Sequence, residues 1–152
     1  MPAMRELINE GLRQRQEHGI AAALPFFEKA AQLEPNSHLP FFMLGNAAAE
    51  LGELDAAALH LARARDLQPG EYVIRFNLGL NQLSRGYVAA GIEELRAACR
   101  LNPEYLPAQS ALIMALHNSD HICQDDIAAT IREWGLSRAI CGCIPWRIFL
   151  NP

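Results

Sequence analysis

A spacing of 34 residues governs this chain. Pro35, Pro69 and Pro103 stand 34 apart, and Leu33, Leu67 and Leu101 keep the same step. So do Gly11, Gly45 and Gly79, and so do Ala30, Ala64 and Ala98. Large apolar residues recur at Phe27, Leu61 and Leu95, and small ones at Ala23, Ala57 and Gly91. Independent columns sharing one period are the mark of a stacked-repeat architecture. In such an array each unit has more apolar face than it can bury alone, and neighbours must cover it.

Each unit divides into two helical patterns. Phe41, Leu44, Ala48 and Leu51 form one stripe, and Ala57, Leu61, Ala64 and Leu67 form the next. Both fit a repeat of 3.6 residues per turn. Gly52 stops the first helix, and Pro69-Gly70 stops the second. A glycine just past the last periodic residue, and a proline beyond it, are helix stops. Gly19 and Gly86 hold the place of Gly52 in the other units, and Asn102-Pro103 closes the third. Short links between helices predict antiparallel hairpins. The expected class is all-α, a superhelical array of hairpins. Gly45 and Ala57 are expected where the two helices of a pair come closest, flanked by Leu44 and Leu61. Ala64 is expected to admit the next hairpin. Pro25 falls early in a predicted helix, where a late start or a kink is expected.

Composition narrows the function. Of 13 basic residues 12 are Arg, but they are scattered, and the net charge is −4. No basic arm marks a nucleic-acid partner. No apolar run reaches the roughly 18 residues of a membrane span, and the amino terminus lacks a signal-peptide pattern. A cytoplasmic protein with reduced thiols is expected from these features. No nucleophile-base constellation, zinc-protease motif or phosphate loop is visible, so the chain reads as a non-enzyme with no cofactor. Glu93 and Glu94 are adjacent and point about 100° apart on a helix, so a solvated face explains them better than acid-base work. Cys99 lies on an inward stripe and reads as a small core residue.

The columns Leu44-Gly45, Ala57, Leu61, Ala64 and Pro69, with their counterparts, resemble the tetratricopeptide repeat family. The resemblance divides residues 4–105 into three repeats, 4–37, 38–71 and 72–105. A partial fourth repeat and a capping helix occupy 106–137, and a tail occupies 138–152. The family's bulky residue at the fourth position is Leu7, then Phe41, then Arg75, a departure in the third copy. The resemblance implies a concave groove lined by the first helix of each pair. Carried over by position, the groove holds Arg5, Ile8, Asn9, Leu12 and Arg15, then Leu39, Phe42, Met43, Asn46 and Ala49, then Val73, Phe76, Asn77, Leu80 and Leu83. Asn9 and Asn77 fall at the asparagine-ladder position of transferase-type arrays, and Met43 interrupts it. The chaperone-binding subgroup grips a terminal carboxylate with cations, but the matching places here are Ile8, Leu12, Met43, Val73 and Asn77. No carboxylate clamp is expected. The implied function is a protein-protein interaction module holding a peptide or protein.

Past His117 the register fails. Pro107 to His117 predicts a helix, and Gln124 to Leu136 a second one, with Ile127, Ile131 and Trp134 on one face. The stretch Ala111 to Gly135 resembles the segment that joins repeats to the catalytic region in SPINDLY-type O-linked N-acetylglucosamine transferases. The matching residues are Leu112, Met114, Leu116, Asp120, Asp125, Asp126, Ile127 and Trp134. That resemblance implies an alternative, the acceptor-recognition fragment of such a transferase. His117, His121 and Cys123, with Cys141 and Cys143, match no common zinc spacing, and turn histidines with unpaired thiols are the plainer account. An uncapped last repeat would leave apolar surface for self-association.

Overall fold

The computed structural model describes residues 2–118. Seven α-helices follow one another there: α1 Pro2–His18, α2 Ile20–Leu33, α3 His38–Glu50, α4 Leu54–Leu67, α5 Tyr72–Ser84, α6 Val88–Leu101 and α7 Leu106–His117. They pair as α1–α2, α3–α4 and α5–α6, and each hairpin stacks on the next through α2–α3, α4–α5 and α6–α7. The expected capping helix from Gln124, the tail, and the group His121, Cys123, Cys141 and Cys143 lie outside the described residues. Among the described residues no helix is long and apolar enough to cross a membrane.

The turns repeat as the columns do. At α3, Gly52 takes a φ of +81°, which an L side chain resists. Its N–H donates to Ala49 O at 3.1 Å, and Glu53 N–H donates to Ala48 O at 2.9 Å. This pair of bonds satisfies the last carbonyls of the helix. Gly86 does the same for α5, with Gly86 N–H to Leu83 O at 3.0 Å and Tyr87 N–H to Gln82 O at 2.9 Å. Between hairpins one turn recurs, from Glu34 to Ser37, Gln68 to Glu71 and Asn102 to Tyr105. The periodic prolines hold its second place, where a fixed φ helps most.

The glycine column and the large apolar column meet inside each hairpin. A Cβ on Gly45 would lie 2.6 Å from Leu61 Cγ, and one on Gly11 would lie 2.5 Å from Phe27 Cε1. Leu61 therefore sits over Gly45 itself, instead of flanking it as the sequence suggests. Phe27, Leu61 and Leu95 are almost wholly buried, each contributing about 1.5–3 kcal/mol. Ala30 shares the amino-terminal core with Leu44 and Ala47, and Ala98 shares the other with Ala108 and Leu112. These alanines let the next hairpin approach.

Two expectations need correction. Helix α2 runs unbroken from Ile20 through Pro25, so the late start does not occur. Glu93 is solvated but Glu94 is not. The Glu94 carboxylate, 14% exposed, accepts from Arg75 at 2.9 Å and from Arg65 of the preceding hairpin at 2.8 Å. Arg75, the departure at the fourth position, also donates to Pro69 O at 3.2 Å. One period later Gln109 donates to Pro103 O. The odd residues at this column fasten the linker that precedes them.

Candidate functional site

The groove positions fall into two unlike halves. In the amino-terminal half, Ile8 is 4% exposed and belongs to the core with Met4, Ala23 and Phe27. It is unavailable to a partner, which corrects its place in the expected groove. Leu12, Leu39 and Met43 are half-buried against that same core. Arg5 and Asn9 stay exposed. The apolar side chains of this half are occupied in packing.

The middle is polar. Asn77 Nδ2 donates to Asn46 Oδ1 at 2.8 Å. The two amides tie α5 to α3, and each retains donor or acceptor capacity. Phe42 and Val73 are half-buried beside them in sequence. Phe76 is set edge-on against Tyr105, with ring centroids 5.3 Å apart, and Tyr105 meets Tyr72 at 4.9 Å. Phe76 thus serves the carboxy-terminal core, and its removal would cost packing as well as any contact with a partner.

The carboxy-terminal half is open. Leu80, Leu83, Val88, Ala111, Met114, Ala115 and Asn118 line a groove of about 280 Å³ between α5, α7 and the start of α6. Leu80 is 37% exposed and Met114 65%. Sequence reading reached Leu80 and Leu83 but stopped at the third copy. One further step of the period from Asn77 and Leu80 would have found Ala111 and Met114. Leu83 owes its place to a glycine. A Cβ on Gly91 would lie 2.7 Å from Leu83 Cγ and 3.0 Å from Gly79 O, so only glycine lets Leu83 lie across α6.

Reactive chemistry has little foothold here. Burial pushes the Cys99 thiol up to about 11, which keeps it protonated and a poor nucleophile. Burial also lowers the pKa of His60, with Glu28 opposing; its ring stacks on Phe41 at 6.4 Å. Among the described residues no group of three His, Cys, Asp or Glu side chains could hold a metal ion.

Stacked hairpins with these turns and this small-against-large pairing make the chain an all-α, tetratricopeptide-type superhelical array. No family model matches it, and no curated protein matches it in sequence. Solved structures do. A mutant O-GlcNAc transferase from Thermobaculum terrenum is 27% identical over 90% of this chain, with a TM-score of 0.77. This chain spans 26% of that transferase's length. The first TPR of Spaghetti bound to an HSP90 peptide, SRMEEVD, is 13% identical over 76% of this chain and 92% of its own, at a TM-score of 0.73. YrrB, described as a TPR protein with an unusual peptide-binding site, is 23% identical over 73% of this chain and 57% of its own, at 0.66.

Proposed function

We propose that this chain is a non-catalytic interaction module of the cytoplasm that holds a peptide or protein partner along the first helices of its hairpins. Asn46 and Asn77 would set the register of the partner's backbone through amide hydrogen bonds. Leu80, Leu83 and Met114 would supply the apolar anchor. The observation that carries the reading is the open apolar groove beside that amide pair, in a fold that other proteins use to bind peptides. Arg5, Asn9, Phe42, Val73 and Phe76 would extend the same wall.

The test is selection of peptides from a random library on the immobilised chain, followed by titration. Burying one leucine-sized group contributes about 1.5–3 kcal/mol, so Leu80→Asp or Met114→Asp should weaken a selected peptide by roughly 10-fold or more. Leu59→Asp, at a side chain 71% exposed on α4, should leave binding unchanged. Equal binding by all three variants would refute the groove.

A second reading has one observation behind it, the similarity to the transferase array over 90% of this chain. On that reading the same groove presents acceptor proteins to a glycosyltransferase. The genomic reading frame after Arg138 decides it, since a following nucleotide-sugar domain is required.

A further inference from the structure

We infer that Met114 is an oxidation site, and that its conversion to the sulfoxide closes the groove between α5 and α7 to apolar partners. The inference rests on the groove reading and concerns its regulation. Met114 stands 65% exposed on α7, with its side chain on the groove beside Leu80, Leu83 and Ala111. Among the described residues the other methionines are Met4 and Met43. Met4 is 6% exposed in the amino-terminal core, and Met43 is half-buried against that core. Cys99 is buried, with its thiol held protonated, which makes it a slow target for oxidants. Among the described residues the most accessible sulfur therefore lies in the groove.

The chemistry needs an exposed thioether and a two-electron oxidant of the hydroperoxide class. A lone pair on Met114 Sδ takes one oxygen of hydrogen peroxide. The S–O bond forms as the O–O bond breaks. The proton of the transferred oxygen passes to the departing hydroxide, which leaves as water. Sulfur loses two electrons, and peroxide gains them. The product is a polar, chiral sulfoxide that reductases return to the thioether. Access for the oxidant is the one structural requirement, and the exposure of Met114 meets it.

Position makes the change matter. Leu80, Leu83, Val88 and Ala111 offer no side-chain hydrogen-bond donor, and Asn118 is the polar member of the lining. A partner seated against these walls strips water from the new S=O oxygen. Burying a polar atom without a full complement of bonds costs about tenfold in affinity. One period earlier the same column holds Leu80, a hydrocarbon that peroxide leaves alone. The switch is thus confined to the α7 wall.

The experiment treats the full chain with hydrogen peroxide. Peptide-mapping mass spectrometry follows each sulfur, and a library-selected peptide is titrated before and after. Met114 should be fully oxidised while Met4 and Met43 stay largely intact. The oxidised chain should bind the peptide about tenfold more weakly, with unchanged helix content. Dithiothreitol alone should not restore binding, whereas adding a methionine sulfoxide reductase should. Met114→Leu, whatever its own affinity, should lose none of it under the same treatment. Oxidation of Met4 or Met43 ahead of Met114 overturns the inference. So does a loss that Met114→Leu retains, a loss that dithiothreitol alone reverses, or a loss accompanied by unfolding. Failure here and failure of the groove reading stay apart. A peptide held equally by thioether and sulfoxide sinks the switch and leaves the groove. An unoxidised chain that selects no peptide removes the groove reading, and the switch with it.

Discussion

The second and third hairpins solve the same packing problem with opposite choices. In the second, Ala49 and Ala57 hold the columns that the third fills with Leu83 and Gly91. A close-packed interior admits a large side chain only where its neighbour is small, so Leu83 on one helix is matched by Gly91 on the other. Yet the two choices differ at the surface. Ala49 leaves the second hairpin with little to offer, whereas Leu83 is held across α6 as a wall of the groove. The same pair of hairpins diverges again one column away. Phe41 stacks on His60 in the second, and Arg75 meets Glu94 in the third. An array of near-identical units thus acquires one distinctive site by local exchanges that leave the backbone plan unchanged.

Four experiments test that comparison. The largest effect is expected at Glu94, whose loss leaves Arg65 with Asp66 and Arg75 with Pro69 O as their remaining partners. Glu94→Ala should destabilise the chain by about 3 kcal/mol, read by urea denaturation. His60→Ala, at the matching position of the second hairpin, should cost well under half as much. Similar losses at both would show that the ion pair is no more structural than the stack.

Next comes Gly91→Ala, expected to cost about 1–3 kcal/mol through overpacking against Leu83 and Gly79 O. Adding Leu83→Ala rebuilds the arrangement of the second hairpin and should recover most of that loss, while the groove loses a wall and its peptide. A double variant no more stable than Gly91→Ala alone would break the exchange argument.

A smaller gain is expected at Asn81. Its side chain is 4% exposed, and neither its nitrogen nor its oxygen bonds to a protein group. Ala47 and Ala115 hold the same column in the neighbouring hairpins. Asn81→Ala should stabilise by about 1 kcal/mol, since a buried amide without partners carries a desolvation cost. A lower melting temperature would mean the amide is anchored.

The smallest effect is a slope. His60 has its folded pKa lowered by burial, so the unfolded chain takes up the proton first. The stability tied to neutral His60 is complete above the ordinary value of about 6.5. It falls as pH drops from there through the lowered folded value. His60→Gln should flatten the pH dependence of the melting temperature in that window, and an unchanged slope would place its origin elsewhere.

Much of the fold was legible because its rules are local. Helix stops at Gly52 and Gly86, the recurring proline turn and the small-against-large columns all come from spacing alone. The site was less legible, for three physical reasons. Ile8 sits at a groove position but is buried in the core it shares with Leu44 and Ala47, which position counting cannot foresee. Glu94 looked solvated because its partners lie 19 and 29 residues away. Ala111 and Met114 were missed because their helix lies where the period weakens, although the columns themselves continue.

Each hairpin leans almost entirely on the ones beside it. Among the described residues the first hairpin has no extensive contact with the third, so the bend there is the running total of small angles set at α2–α3, α4–α5 and α6–α7. A slight roll at the central junction, where Asn81 lies, would be carried undiminished to every residue beyond it, as at the far end of a lever. The distance from the first hairpin to α7 therefore sums all three seams, and a molecule long enough to touch both ends would feel each of them.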